Sequence, residues 1–280
     1  MKVSRRKFLH IAGGFGVSVG VPSAVEVGYA TRIEPLRVML DECRIRIPSL
    51  PTAFEGFRIA LFSDIHLYPF TPVQVVQDAV RLANSFRPDL VILPGDFVWR
   101  TVEAAFDLVP VLSLLNPAQG TFAVLGNHDH LKGPEIIAKA LAQAGVRLLR
   151  NEGITIQRGR DSIYLAGIDS VWGGKPSPVA AFENRRGELT SIVAVHEPDS
   201  IRNLVPRFPV DLQLSGHSHG GQVRLPVVGP LILPPMGEIY NMGLYRVGSA
   251  QVYTTRGIGT IHLNVRFNCP PEVTAITLHA

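Results

Sequence analysis

The chain has 280 residues, of which 46% are hydrophobic and 18% charged, a composition that provides a sizeable core and excludes a disordered or fibrous protein. Its formal net charge is +4, but four of the 27 basic residues and only one of the 23 acidic residues lie within residues 1–30. Residues 31–280 therefore carry a net charge of +1, which argues against a nucleic-acid polymer bound through a broad basic face.

The chain begins with a basic and then apolar leader. Ser4-Arg5-Arg6-Lys7-Phe8-Leu9 opens a glycine-rich apolar stretch over residues 8–25, which resembles a twin-arginine export signal. This stretch can span a bilayer, although its glycines make it a weak anchor, and Gly28-Tyr29-Ala30 offers small residues to a signal peptidase. We expect residues 1–30 to be a signal peptide or an N-terminal anchor, and the twin-arginine translocase to export the protein to the periplasm or cell envelope, with membrane association if the leader is retained.

After the leader, short apolar strands alternate with amphipathic helices. The sequence predicts strands over residues 37–47, 57–62, 90–93, 121–125, 154–157, 163–168, 191–195, 212–214, 252–255 and 272–278, and helices over 72–86, 102–115, 134–144 and 199–205. Alternating elements indicate α/β layers, and several later strands follow one another without a helix between them. This combination favours two facing sheets flanked by helices, in one catalytic domain over residues 31–280.

Side chains that can bind a metal follow five of these strands. They are Asp64 with His66, then Asp96, then Asn127 with His128 and Asp129, then His196, and finally His217 with His219. Open α/β sheets place their ligand crevices at the C-terminal ends of strands. In an extended backbone, residues two apart point to the same side, so Asp64 and His66 can face one ion, and His217 and His219 one site. Mixed nitrogen and oxygen ligands suit Mn, Fe or Zn better than Ca.

The run D-x-H, G-D, G-N-H-D, H and G-H-x-H, in this order, resembles the calcineurin-like metallophosphoesterase family from about residue 57 to residue 278. The resemblance implies a four-layer αββα sandwich of two mixed β-sheets flanked by helices, with a centre for two divalent ions. It implies that Asp64, His66 and His219 bind the first metal, that Asp96 bridges both, and that Asn127, His196 and His217 bind the second. His128 would be the histidine beside the phosphate that binds no metal, with Asp129 orienting it.

The leader and the tail, which includes Arg256-Gly257-Ile258-Gly259 and Arg266-Phe267-Asn268-Cys269-Pro270-Pro271-Glu272, resemble one branch of this family, the exported bacterial phosphodiesterases of the YkuE and YaeI type. A related group hydrolyses UDP-2,3-diacylglucosamine in lipid A synthesis. The segment Gly167-Ile168-Asp169-Ser170 departs from the branch, because Ser170 stands where a second acidic residue is expected.

The resemblance implies a phosphoesterase, above all a phosphodiesterase, in which a hydroxide bridging the two metals attacks phosphorus in line. Two divalent ions, Asp64, Asp96 and that hydroxide have a formal charge of about +1, which matches a monoanionic diester. The expected substrate is a phosphodiester or a lipid-linked phosphate. The alternative is a pyrophosphatase for UDP-2,3-diacylglucosamine, which export disfavours because nucleotide-sugar lipids are made on the cytoplasmic face. A non-catalytic scaffold is disfavoured because every ligand position is present.

Residues just beyond the metal-binding strands are candidates for substrate contacts. A substrate wall can be formed by Tyr68, Phe70, Trp99 and Arg100, with ordinary packing of the aromatic residues as the alternative. Arg100 and Arg256 can also hold a second phosphate, with a solvated surface as the alternative. His130 is expected to be a solvated loop residue, whereas the role of His262 is left open. Two further residues, Cys43 and Cys269, either form a disulfide or remain free thiols.

Overall fold

The computed structural model describes residues 23–280. Its strands are β1 (Met39–Arg46), β2 (Arg58–Leu61), β3 (Leu90–Leu93), β4 (Thr121–Ala123), β5 (Val146–Leu148), β6 (Glu152–Arg158), β7 (Asp161–Gly167), β8 (Ser191–Ala194), β9 (Leu212–Ser215), β10 (Arg224–Leu225), β11 (Gly229–Pro230), β12 (Gly243–Val247), β13 (Ala250–Thr254) and β14 (Glu272–His279). Its α-helices are α1 (Ala24–Arg32), α2 (Val73–Ser85), α3 (Val109–Leu112), α4 (Asn127–Lys132), α5 (Pro134–Gln143), α6 (Pro178–Phe182) and α7 (Ile201–Leu204).

Two six-stranded mixed sheets form the centre of the fold. The first has the strand order β1-β14-β2-β3-β4-β5, and the second has the order β12-β13-β9-β8-β7-β6. Strands β2 to β5 run parallel to one another, as do β7, β8, β9 and β13. The C-terminal ends of β2, β3 and β4 therefore meet at one edge of the first sheet, and those of β8 and β9 at one edge of the second.

Three apolar clusters separate four layers of structure. Ile59 of β2 and Leu165 of β7 belong to the cluster between the two sheets. Their chain neighbours point to the opposite faces, as the period of a strand requires: Ala60 packs with helices α2 and α5, and Tyr164 packs with α6 and α7. The αββα sandwich expected from the resemblance is confirmed.

The predicted helices differ from the structure where a proline or a short packing surface intervenes. The segment 102–115 is a 3-10 helix (Val102–Leu108) followed by the short α3, because Pro110 in the first turn of α3 has no N–H to continue a single helical ladder. The segment 199–205 likewise divides into a 3-10 turn (Pro198–Ser200) and α7. Sequence patterning missed the helices α1, α4 and α6 and the strands β5, β10, β11 and β12.

Helix α1 packs against the C-terminal part of the domain. The backbone N–H of Arg266 donates to the carbonyl oxygen of Ala30 at 2.9 Å, and the Asn264 side-chain amide donates to the carbonyl oxygen of Thr31 at 3.2 Å. The helix thus crosses the boundary predicted after residue 30. The paired arginines lie outside the described residues, and no helix within residues 23–280 has the length and apolar character needed to cross a membrane.

Candidate metal centre

The seven predicted metal ligands follow the strands β2, β3, β8 and β9, or lie at the first residue of the helix after β4. Each of them is at most 5% exposed: Asp64, His66, Asp96, Asn127, His196, His217 and His219. Buried carboxylates and imidazoles need partners, because an unpaired polar group away from water costs free energy. Their convergence in one buried place is therefore the first structural sign of a site.

Ligand atoms within 4.8 Å of one another form two groups that share Asp64, namely Asp64 with His66 and His219, and Asp64 with Asp96 and His196. In the first group, Nε2 of His66 lies 3.1 Å from Nε2 of His219. Asp96 lies between the groups, since its Oδ2 is 3.3 Å from Nε2 of His66 and 3.2 Å from Nε2 of His196. These positions suit two neighbouring ions and a carboxylate that contacts both.

In two of the histidines, His196 and His217, one ring nitrogen is engaged in a hydrogen bond to a backbone carbonyl. The other ring nitrogen is therefore free to bind a metal. Nδ1 of His196 donates to the carbonyl oxygen of Pro94 at 2.6 Å, and Nε2 of His217 donates to that of Pro235 at 2.8 Å. A neutral ring then carries no proton on Nε2 of His196 or Nδ1 of His217. Nε2 of His196 and Oδ1 of Asn127 are buried without a hydrogen-bond partner. This donor set fits divalent ions.

The electrostatics of the ligand set favour a cation at Asp96 and His219 but a proton on His196. Burial opposes ionisation of Asp96, but His196 and His66 hold its pKa well below the ordinary value. Burial and the neighbouring His66 hold the pKa of His219 well below its usual range. Burial also works against the charged form of His196, yet the Asp96 carboxylate raises the pKa of His196 well above normal. A cation that binds His196 must displace the proton that this raised pKa keeps on the ring, so metal binding should weaken at low pH.

Five of the ligands have a left-handed backbone conformation. The φ angles are 51° at Asp64, 43° at His66, 60° at Asp96, 69° at His217 and 52° at His219. Residues other than glycine seldom adopt such angles, which cost about 1–3 kcal/mol each and cluster at functional sites. The expectation that the paired ligands share a side of an extended strand was therefore wrong, although they do reach the same centre.

His219 belongs to the first ligand group, whereas His217 belongs to neither group and lies beside His196 of the second. The His217 ring lies 5.0 Å from the ring of His196, and the His219 ring lies 4.9 Å from the ring of His66. The turn between them separates their side chains, which a regular strand would have held on one side. The assignment of the two residues to different metals stays a prediction.

Two glycines let the backbone approach the carboxylates. A Cβ atom at Gly126 would lie 2.2 Å from Oδ1 of Asp96, and one at Gly216 would lie 2.3 Å from Oδ2 of Asp64. The N–H of His217, the residue after Gly216, donates to the Asp64 carboxylate at 3.0 Å. The N–H of His128 donates to Oδ1 of Asp96 at 2.9 Å. These contacts fix the orientation of both carboxylates and leave no room for a larger residue.

His128 lies at the mouth of the centre. Its ring centroid is 5.0 Å from that of His66 and 4.8 Å from the Trp99 ring. Burial lowers the pKa of His128 to about 4, against the opposing charge of Asp96. The ring is then neutral near pH 7 and offers a hydrogen bond to a substrate oxygen, rather than a readily transferred proton.

Asp129 has a different role from the one expected. Its carboxylate accepts the backbone N–H groups of Asp96, Phe97 and Gly126 at 2.8, 2.8 and 2.9 Å. Both carboxylate oxygens are thus engaged by the backbone, and the expectation that Asp129 orients the His128 ring was wrong. Asp129 instead fixes the loops that carry Asp96 and Asn127.

The candidate substrate residues fall into different environments. Trp99 lies at the site, beside His128, and its ring is 5.2 Å from that of His262. Tyr68 is half-buried against the apolar core, and Arg100 is exposed. The Arg256 guanidinium contacts the carboxylates of Asp41 and Glu272.

The second-phosphate role of Arg256 is therefore not supported, because two carboxylates already balance its charge. The expectation that His130 is solvated was wrong. Its side chain is 9% exposed, and its Nε2 lies 2.6 Å from Oδ1 of Asp169. Cys43 and Cys269 are both free thiols.

Sequence reasoning missed a buried carboxylate that holds a loop over the centre. Glu197 is fully buried and accepts hydrogen bonds from the Ser170 hydroxyl at 2.5 Å and from the N–H groups of Val171 and Trp172. Ser170 supplies a donor where the branch pattern led us to expect an acid, which would have repelled Glu197. The Trp172 ring in turn lies 5.5 Å from the His217 ring. The serine at position 170, in place of the expected acid, was the one sequence feature that could have pointed to Glu197.

The family model for calcineurin-like phosphoesterases matches residues 57–221. The chain belongs to the calcineurin-like phosphoesterase family, which confirms both the resemblance and the assignment as a hydrolase of phosphoester bonds. It is 35% identical to the metallophosphoesterase YkuE of Bacillus subtilis, over 99% of this chain and 98% of that protein. It is 34% identical to the phosphodiesterase YaeI of Escherichia coli, over 99% of both chains. It is 28% identical to the UDP-2,3-diacylglucosamine pyrophosphatase LpxG of Chlamydia muridarum, over 88% of this chain and 90% of that one.

Proposed function

We propose that the protein is a phosphodiesterase that uses two divalent metal ions. The observation that carries the proposal is the pair of buried ligand groups that share Asp64, with Asp96 between them. When bound, two such ions supply positive charge for the phosphoryl oxygens and an activated water near neutral pH. The reaction adds one water across a P–O ester bond, so that a phosphomonoester and an alcohol leave.

The residues of the chain orient this reaction. Asp64 and Asp96 are held by the N–H groups of His217 and His128, so their free lone pairs remain available to cations. His128 offers an N–H to a non-bridging phosphoryl oxygen, where charge accumulates in the transition state. Trp99 lies against His128 and His66 and limits the directions from which a substrate can approach.

The test is hydrolysis of bis-p-nitrophenyl phosphate by the full-length protein. Activity should disappear after treatment with a chelator and return on addition of Mn²⁺, Fe²⁺ or Zn²⁺, with Mn²⁺ the first to try. A protein that holds two metals per chain yet turns over no diester or monoester would contradict the proposal and favour a scaffold role.

A second candidate is a pyrophosphatase acting on UDP-2,3-diacylglucosamine. The relative LpxG carries this activity in its name, and its similarity extends over most of both chains. Incubation with that nucleotide lipid would release UMP if the second candidate is right. Turnover of a simple diester without UMP release would favour the first.

For its location, we propose export by the twin-arginine translocase, supported by Arg5 and Arg6 before the apolar stretch. Replacing both arginines by lysine keeps the charge and should retain the protein in the cytoplasm. Cell fractionation in a bacterium with an active twin-arginine translocase measures this. Export of the double-lysine variant at the native level would contradict it.

A further inference from the structure

An apolar groove of about 530 Å³ opens beside the metal-ligand cluster. It is lined by Trp172 and by residues of the segments 218–223, 231–235 and 261–265. None of the residues that line it is Asp, Glu, Lys or Arg. Such a lining suits hydrocarbon better than a sugar or a second phosphate, whose polar groups would be left without partners.

The groove is continuous with the metal centre. His219 belongs to the first ligand group and also lines the groove. On one side, the Trp172 ring contacts the His217 ring, and on the other, His262 contacts Trp99. A phosphoester bound at the ligand cluster would therefore direct one of its substituents into the groove.

The rim of the groove exposes large apolar side chains. Ile232 is 80% exposed and Leu263 is 67% exposed, and contiguous exposed apolar surface of this kind marks interaction sites. The nearby turn between β10 and β11 adds Val227, which is fully exposed and has a φ of 67°. A β-branched residue in this conformation is a genuine outlier, so the turn presents its apolar side chain at a conformational cost.

The leader joins the domain next to this rim. Asn264 and Arg266 lie in or next to the segment 261–265. They donate hydrogen bonds to the carbonyl oxygens of Thr31 and Ala30 in helix α1. Most of the apolar residues 8–25 precede this nine-residue helix, which is about 14 Å long. A leader retained in a lipid surface would keep the groove close to that surface.

We propose that the groove binds the hydrocarbon chain of a lipid phosphodiester whose phosphate is hydrolysed at the metal centre. This inference rests on the proposed function and adds the substrate class. The bonds made and broken are those of the same hydrolysis, and the groove contributes only affinity for the chain. Since each buried methylene strengthens binding, kcat/KM should rise with chain length until the groove is full.

The experiment uses a series of alkyl p-nitrophenyl phosphates with methyl, butyl and octyl chains, each below the concentration at which it forms micelles. All three release p-nitrophenolate, so only the chain differs. With the full-length protein and Mn²⁺, we expect kcat/KM to increase by up to about fourfold per added methylene. A rate independent of chain length would overturn the groove proposal. Failure to hydrolyse any of the three esters would instead overturn the proposed function.

Two variants place the effect in the groove. Ile232→Ser and Leu263→Ser should each lower the octyl-to-methyl ratio of kcat/KM by at least about threefold, and the double variant by about tenfold, because they remove buried apolar contact with the chain. Leu114→Ser is the matched control, since Leu114 is 63% exposed and lies outside the groove. Both groove positions are exposed, so folding should tolerate the changes. An unchanged ratio in the double variant would contradict the proposal.

Discussion

The ligand cluster and the apolar groove share His219 but differ in how their side chains are held. In the cluster, Asp96 is 1% exposed, and the backbone N–H of His128, two histidines and the close approach of Gly126 surround it. In the groove, Ile232 and Leu263 expose most of their surface, and their hydrocarbon side chains form no hydrogen bond. The difference separates two tasks: the buried part fixes the positions of charges, whereas the exposed part sets which substituent is accepted.

This difference also predicts how each region responds to mutation. A buried network loses its function when one member is removed, because the remaining charges and donors are left without partners. An exposed apolar wall loses only the contact that is deleted, and its effects should be nearly additive. Four substitutions test this contrast, from the largest expected effect to the smallest.

Asp96→Ala should have the largest effect. The variant loses the carboxylate between the two ligand groups, so we expect metal content to fall and turnover of bis-p-nitrophenyl phosphate to drop by about 10³-fold or more. Elemental analysis and a rate assay on the same sample measure both. Asp78→Ala, in a surface ion pair with Arg81, is the control. Wild-type metal content in Asp96→Ala would contradict the proposal that the Asp96 carboxylate binds both metals.

His128→Ala should separate rate from metal content. Removing a hydrogen-bond donor to a phosphoryl oxygen should reduce kcat by about 10²–10³-fold. The metal content should stay at the wild-type level, because no metal-ligand group includes this side chain. His130→Ala, which breaks the buried pair with Asp169, controls for damage to the same short helix. A parallel loss of metal in His128→Ala would show that the residue is a ligand.

Gly126→Ala tests the close approach of backbone to carboxylate. The added methyl group would meet Oδ1 of Asp96 at 2.2 Å, so the carboxylate must move, and we expect metal affinity to fall by about 10–100-fold. Titration of the metal-free protein with Mn²⁺ measures this. Gly28→Ala in helix α1 meets no atom within 4 Å and should leave the affinity unchanged. Equal affinity in the two variants would contradict the packing argument.

Trp172→Ala should have the smallest effect, because this residue belongs to the groove and touches only one ligand. We expect a decrease of about threefold to tenfold in kcat/KM for the octyl ester, from lost apolar contact. Trp172→Phe, which keeps an aromatic ring over His217, should recover most of it. A loss as large as that of His128→Ala would place Trp172 with the cluster instead of the groove.

Much of the fold could be predicted from sequence because buried parallel strands are continuous apolar runs. The strand predicted over 90–93 matches β3, and the ends of its neighbours differ by at most two residues. The strand β5 and the helix α6 are short, so packing on neighbouring elements, rather than a periodic pattern, stabilises them. Local sequence carries little of that information.

The ligand set was predictable for a different reason, since its residues follow strands that share one sheet edge. Which atoms bind and how the backbone turns were not predictable, because the left-handed conformations at Asp64 and His66 arise from contacts with distant glycines and loops. The environments of two charged or titratable residues also depend on pairing between distant parts of the chain. The partners of Arg256 and His130 are Asp41 and Asp169, which are remote in sequence.

Helix α1 has a consequence for the order of events during biogenesis. Peptidases cut exposed, flexible segments most readily, yet Gly28, Tyr29 and Ala30 lie within α1, where Ala30 is 7% exposed and its carbonyl oxygen accepts the Arg266 N–H. A translocase that carries folded cargo would deliver this segment with α1 already packed against the domain. If the chain is exported in a folded state, as proposed, removal of the leader at Ala30 would have to compete with docking of α1.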